Sequence, residues 1–201
     1  MNDFYYTIAQ PAQVETKVKG SRFIAETMSI EHVEVVGQFL QNIRKREHAA
    51  SHHCYAYKIG IDNNTEFKYS DDGEPSGTAG KPIYDCITGR ELTNVLLVVT
   101  RYFGGTKLGT GGLVRAYSDA AVQALDKSGV RTVYLTDQLS MQFDFKYYDQ
   151  ILKILAKYAA EQKSSAFSDI VKLAVAVRKS KTKEFMEEVT NLTHGQIKIS
   201  R

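Results

Sequence analysis

The chain has 201 residues, 43% of them hydrophobic, with 26 Lys and Arg against 23 Asp and Glu. That is material for one or two packed domains, and a net charge of +3 does not by itself argue for a nucleic-acid partner. No stretch approaches the ~18 apolar residues of a membrane span, and the N-terminus has no basic run leading into an apolar one. Two cysteines make no disulfide scaffold, so the sequence reads as a cytoplasmic protein with reduced thiols and no membrane partner.

Residues 13–18 and 21–29 predict a hairpin turning at Lys19 and Gly20. Val33, Val36, Leu40 and Ile43 then recur at helical spacing. Arg44, Lys45 and Arg46 close that helix, where cations suit its dipole. Tyr55, Tyr57, Ile59 and Ile61 alternate as on a half-buried strand. Asp62, Asn63 and Asn64 signal a turn, and residues 65–70 a return strand. A Gly-rich loop and a short helix near 79–89 follow. Residues 95–99 are continuously apolar, which predicts a strand covered on both faces. A second Gly-rich loop feeds a helix with the stripe Leu113, Tyr117, Ala120, Ala121 and Ala124, ending at Gly129.

The pattern then restarts. Leu139, Met141, Phe143 and Phe145 alternate as a strand. Tyr148, Ile151, Leu155 and Tyr158 form a helix face. Val171, Leu173, Val175 and Val177 alternate again, Phe185, Val189 and Leu192 mark a second helix, and Ile197 and Ile199 a last strand. With a short strand near 164–167 the order is βαββαβ, the split βαβ unit of ferredoxin-like domains. The chain is therefore divided into residues 1–133 and 134–201. Residues 1–134 hold 15 cations and 15 anions, and residues 135–201 hold 11 and 8, so the positive excess lies in the second domain. Arg178, Lys179, Lys181 and Lys183 form its basic turn, a solvated face or an RNA contact.

The two Gly-rich loops carry the polar residues that packing explains least. Gly104 and Gly109 have the spacing of a phosphate loop, but Thr110 and Gly111 stand where that loop needs Lys and Ser or Thr. A dinucleotide fingerprint from Gly109 fails at Val114. What survives is a helix opening at Thr110, Gly111 and Gly112, whose free N–H groups can hold an anion, with Lys107, Arg115 and Arg101 to add charge. The plainer reading is a tight strand–helix connection. Asp71, Asp72 and Glu74 lack the spacing of a calcium loop and could instead pair with those cations. Ser76, in Gly-Glu-Pro-Ser-Gly, is one residue off a nucleophile elbow. His52 and His53 are adjacent on a strand and point to opposite faces, so they do not share a metal. No metal site and no cofactor is assigned.

Residues 71–82, Asp-Asp-Gly-Glu-Pro-Ser-Gly-Thr-Ala-Gly-Lys-Pro, resemble a signature block of the YigZ/IMPACT family. So do residues 101–109, Arg-Tyr-Phe-Gly-Gly-Thr-Lys-Leu-Gly, running into Gly112, Leu113, Val114, Arg115, Ala116 and Tyr117. Residues 19–23 and 52–57 are similar to two further blocks, and residues 134–201 resemble the bacterial C-terminal domain in length and element order. The resemblance implies an α+β protein. Its first domain would be an α/β sandwich like the second domain of small-subunit ribosomal protein five. Its second would be ferredoxin-like, similar to the last domain of elongation factor G. Eukaryotic relatives restrain a translation-inhibiting kinase by competing for its activator. The theme carried over is translation through contact with RNA or the ribosome. An enzyme using phosphate or a nucleotide at the Gly-rich helix start, and a protein-interaction module, stand as alternatives.

The expected binding patch joins Arg22, His52, Lys81, Arg101, Lys107 and Arg115, with Thr110, Gly111 and Gly112 facing it. Asp71, Asp72 and Glu74 are placed at its rim, and His53 and Ser76 nearby.

Overall fold

The computed structural model describes residues 3–201 and divides them into two units, residues 5–133 and residues 134–201 with Asp3 and Phe4. In chain order the first comprises most of β1 (Phe4–Ile8), then β2 (Ala12–Val18), β3 (Ser21–Ser29), α1 (Glu34–Arg46), β4 (His52–Ile59) and β5 (Glu66–Ser70). There follow α2 (Gly80–Thr88), β6 (Val95–Tyr102), α3 (Thr110–Ser128) and β7 (Val130–Tyr134). Its antiparallel sheet runs in the order β2-β3-β6-β4-β5.

Side chains alternate across a strand, so this sheet has two rows to cover. Phe23, Ala25, Cys54, Ala56, Leu97 and Val99 pack against Ile83 and Ile87 of α2 and Leu113, Ala120 and Ala121 of α3. Tyr55, Tyr57, Ile59, Leu96 and Val98 pack against Val36, Leu40 and Ile43 of α1. Strand β6 is covered on both faces, as its unbroken apolar run implies. Strand β4 is covered on both faces too, which corrects its reading as half-buried. Its second row is the small pair Cys54 and Ala56, which a hydrophobic alternation undercounts. Ile61 falls beyond the end of that strand.

Strands β1 and β7 form a separate two-stranded sheet. The sequence pattern does not announce it. β7 is almost wholly exposed and so has no buried row, and its partner lies at the other end of the unit.

The second unit contains β8 (Thr136–Phe143), α4 (Tyr148–Lys157), β9 (Glu161–Phe167), β10 (Val171–Arg178), α5 (Thr182–Leu192) and β11 (Lys198–Ser200). The order is βαββαβ, and the antiparallel sheet is β11-β8-β10-β9. Leu139, Met141, Phe143, Leu173, Val175 and Val177 meet Ile151, Leu155, Phe185 and Val189 of the two helices. Phe145 is not part of β8. It sits exposed in the turn Phe145–Tyr147, its ring stacked 5.6 Å from Tyr148. The fold is thus the α+β arrangement expected, an α/β unit followed by a small βαββαβ unit.

One backbone contact fixes an end of the first sheet. The β2–β3 turn and the loop after β6 touch at Gly20 and Gly104. A Cβ on Gly104 would lie 1.9 Å from the Gly20 carbonyl carbon and 2.2 Å from the Ser21 nitrogen. Backbone cannot yield as a flexible side chain does, so Gly104→Ala is expected to lower stability by about 3 kcal/mol. Gly111→Ala, with nothing within 4 Å, should change it by less than about 1 kcal/mol. Urea unfolding midpoints compare the two.

Candidate functional site

Strand pairing assembles the site. Arg101 of β6 lies opposite Phe23 of β3 and opposite His52 of β4, so these three share one face of the sheet. Arg22, His53, Thr100 and Tyr102 occupy the other face by the same alternation. Arg101 is buried, and an unpaired guanidinium there would be prohibitively costly. Its partner is Glu74. Arg101 Nη1 donates to Glu74 Oε1 at 2.6 Å, with both side chains about 95% buried.

Glu74 is delivered by the loop after β5, and Asp71 shapes that loop. Asp71 Oδ2 accepts from the Gly77 N–H at 2.9 Å, and its Oδ1 accepts from Ala79 and Gly80 at 3.0 and 2.8 Å. One carboxylate thereby closes the loop and satisfies free amides at the start of α2. Asp72, at φ +42°, accepts from Arg44 at 2.9 Å and from the His53 N–H at 2.7 Å. A carbonyl only accepts, so the 2.9 Å contact between His52 Nδ1 and the Asp72 carbonyl places a proton on Nδ1. His52 Nε2 then lies 3.8 Å from Glu74 Oε1.

Behind the ion pair, the Tyr117 hydroxyl donates to Glu74 Oε1 at 2.8 Å. The Cys54 thiol is 3.3 Å from that hydroxyl and donates to the Asp71 carbonyl at 2.9 Å. Burial pushes the Tyr117 phenol and the Cys54 thiol far above their usual values, so both stay protonated donors. Ser21 Oγ accepts from Arg101 Nη2 at 3.4 Å and from the Gly104 N–H at 3.2 Å. Among the described residues Arg101 Nε is buried without a hydrogen-bond partner.

A cavity of about 410 Å³ opens over this cluster. His52, Glu74, Arg101, Lys107 and Thr110 give it polar walls, and Pro75, Phe103, Leu108 and Leu113 apolar ones. Helix α3 begins there. Its N-cap is Gly109, at φ +73°, and no side chain among the described residues caps it. The helical ladder starts with Leu113 N–H donating to the Gly109 carbonyl at 2.9 Å, which leaves the Thr110, Gly111 and Gly112 amides outside it. Amides at a helix start beside a lysine suit an anion, while the Arg101 guanidinium is already paired with Glu74.

Five of the sequence-derived residues therefore line one cavity: His52, Glu74, Arg101, Lys107 and Thr110. Gly111 and Gly112 continue the same helix start. Glu74 is not at a rim but buried under the cavity, and Asp71 and Asp72 are held in the loop scaffold. Arg22 is on the opposite sheet face, 4.2 Å over the Tyr102 ring and 3.5 Å from Glu15, because its strand position is one off that of Phe23. Lys81 is turned along α2 to Asp85 at 2.6 Å, on a second cavity with Cys86 and Arg90. Arg115 donates back to its own helix at the Gly111 carbonyl, 3.3 Å away. Ser76 is exposed in the loop. His53 is buried on the α1 face, with Nδ1 3.1 Å from Thr100 Oγ1. The single patch drawn from the sequence is thus divided. In the sequence Tyr117 reads as part of the α3 core stripe, and Cys54, Ser21 and Phe103 carry no site signal of their own. The available signal was a hydroxyl on the otherwise apolar α3 stripe.

Among the described residues no helix is long and apolar enough to cross a membrane, and no three His, Cys, Asp or Glu side chains group as metal ligands. Fold and site together define a two-domain α+β protein with a loop-built polar cavity at the start of a helix. Residues 19–125 match the Impact N-terminal domain, and residues 141–196 match a domain of unknown function, DUF1949. IMPACT family member YvyE of Bacillus subtilis (strain 168) is 35% identical, over 97% of this chain and 89% of its own. IMPACT family member YigZ of Escherichia coli (strain K12) is 32% identical, over 95% and 94%. A solved structure described as that of a hypothetical protein is 31% identical and superposes with a TM-score of 0.69, covering 99% of this chain and 97% of that one. The chain belongs to the IMPACT family.

Two outcomes follow from this geometry. Arg101→Met or Glu74→Met strands the other charge in the interior, so each should cost about 3–5 kcal/mol, against less than about 1 kcal/mol for Arg44→Ala. Guanidinium titration of the three variants measures this. Burial holds the His53 pKa below its usual 6.5, opposed by nearby Asp72. The folded chain then binds that proton less readily than the unfolded one. Stability should be complete above pH 6.5 and fall as pH drops through the lowered value, with His53→Gln flattening this slope in melts across the range.

Proposed function

We propose that this protein acts in translation or its regulation by binding RNA, and that the cavity at the start of α3 takes a phosphate of that RNA. The observation that carries the reading is the convergence there of the uncapped α3 amides and Lys107, beside the Arg101–Glu74 pair. Glu74 neutralises most of the Arg101 charge, so the residual field comes from Lys107 and the helix start. The family resemblance supplies the theme of translation, and the chemistry of the site supplies the phosphate.

A phosphorylated small molecule is the second reading. A cavity of about 410 Å³ has the size of a small-ligand site, and its apolar walls, Phe103 above all, offer a surface to a flat ring.

Fluorescence anisotropy with a labelled single-stranded RNA separates the two. RNA binding should weaken steeply with added salt. Lys107→Ala should weaken it about fivefold on all sequences and reduce the salt slope by about one. Lys81→Ala, which lies on the other cavity, should leave binding unchanged. Affinity that stays flat with salt, or RNA that binds only after a nucleotide competitor is removed, would count against the RNA reading.

A further inference from the structure

Strand β5 is one of the two outer strands of the first unit's sheet and, among the described residues, is hydrogen-bonded to β4 on one side only. Four of its five residues are exposed. Two of them are aromatic, with Phe67 55% and Tyr69 40% exposed. Tyr84 of α2 stacks on Phe67 at 5.0 Å and 27°, and lies 5.7 Å from Tyr69. Edge strands invite pairing with another strand, and sequences usually blunt them. This one keeps an aromatic cluster beside its free backbone.

The charges around the cluster select the occupant. Lys81 and Asp85 neutralise each other at 2.6 Å. Glu66 and Lys68 lie on the edge itself, and Lys58 faces Phe67 from β4. So nearly balanced a surface gives a polyanion little attraction, whereas aromatic rings with few net charges are the makeup of a protein interface core.

The same charges select which protein. A two-fold axis normal to the sheet pairs β5 with β5 of a second copy, antiparallel, each register setting one residue opposite itself. Centred on Glu66 or Lys68, like charges meet. Centred on Phe67, Glu66 of each copy faces Lys68 of the other, twice. Phe67 then meets Phe67, and the stack Tyr84–Phe67 continues across the axis on the α2 face. Glu66 and Lys68 sit opposite Ile59 and Tyr57 of β4, on the α1 face, where both can reach across without crossing the rings.

We propose that two copies of this chain associate through β5, in the register centred on Phe67, to make one continuous sheet. The site is separate from the cavity at α3 and stands whether or not RNA binds there.

Sedimentation velocity of the full chain, from about 1 to 200 μM, tests it. A concentration-dependent dimer is expected. Lys68→Glu and Glu66→Lys should each weaken it at least about tenfold, and the double exchange Glu66→Lys/Lys68→Glu should restore it to within about threefold. Phe67→Ser should leave a monomer. All these side chains are exposed, so melting temperatures serve as the check that each variant is folded. A monomer at every concentration, or a dimer indifferent to the single charge reversals, overturns the proposal. So does failure of the double exchange to restore association, which would instead favour an extended segment of another protein as the occupant.

Discussion

A guanidinium held in the middle of a β-sheet constrains everything around it. Arg101 lies on the central strand β6, under loops rather than under water, and it is tolerable only because Glu74 meets it. Glu74 is not on a strand or a helix, so the loop carrying it must be rigid. This is what the acidic block does. Asp71 grips three backbone amides, Asp72 ties the loop to α1 and β4, and Gly73, at φ +91°, makes the bend between Asp72 and Glu74. Tyr117 and Cys54 then occupy the space behind the carboxylate with protonated donors. The cavity is a by-product of this arrangement: its floor is the ion pair and its wall the start of α3.

Strand alternation decides which charges can take part. Arg22 and Arg101 belong to neighbouring strands, and Arg22 lies opposite Tyr102, one residue along from Arg101. That single step sends one guanidinium to the α1 face and the other to the cavity. Arg22 joins a network there, in which the Tyr102 hydroxyl donates to Glu47 at 2.8 Å and Arg46 bridges Glu47 and buried Glu26. The Glu26 carboxyl is pushed up by its burial, partly offset by Arg46, while hydrogen bonds from Arg46 and Tyr102 hold the Glu47 carboxyl down.

The chain made its helices and central strands legible because their signals are local. The stripe from Leu113 to Ala124 and the run from Val95 to Val99 each need one covered surface, and the residues say so directly. Two kinds of feature escaped. The β1–β7 pair depends on a partner more than a hundred residues away and buries no full row. The site residues were found as a set but not as a geometry, since composition lists charges without telling which face or which turn each one takes. Arg22, Lys81 and Arg115 were good candidates by type, and each was claimed by a nearer partner: a ring, an i+4 carboxylate, a backbone carbonyl.

The Gly20–Gly104 contact has a consequence for how the cavity admits a guest. Two backbones in contact leave no room for a hinge, and Ser21 Oγ stitches the same junction to Arg101. The loop that follows β6 is therefore pinned at its root rather than free to swing as a flap. A guest of the kind proposed would meet the wall at that root already in place, with the entropy of ordering it spent during folding. Discrimination on that side of the cavity would come from fit to a fixed shape, whereas Lys107 and Leu108 lie further along the loop, past Gly105 at φ +84°.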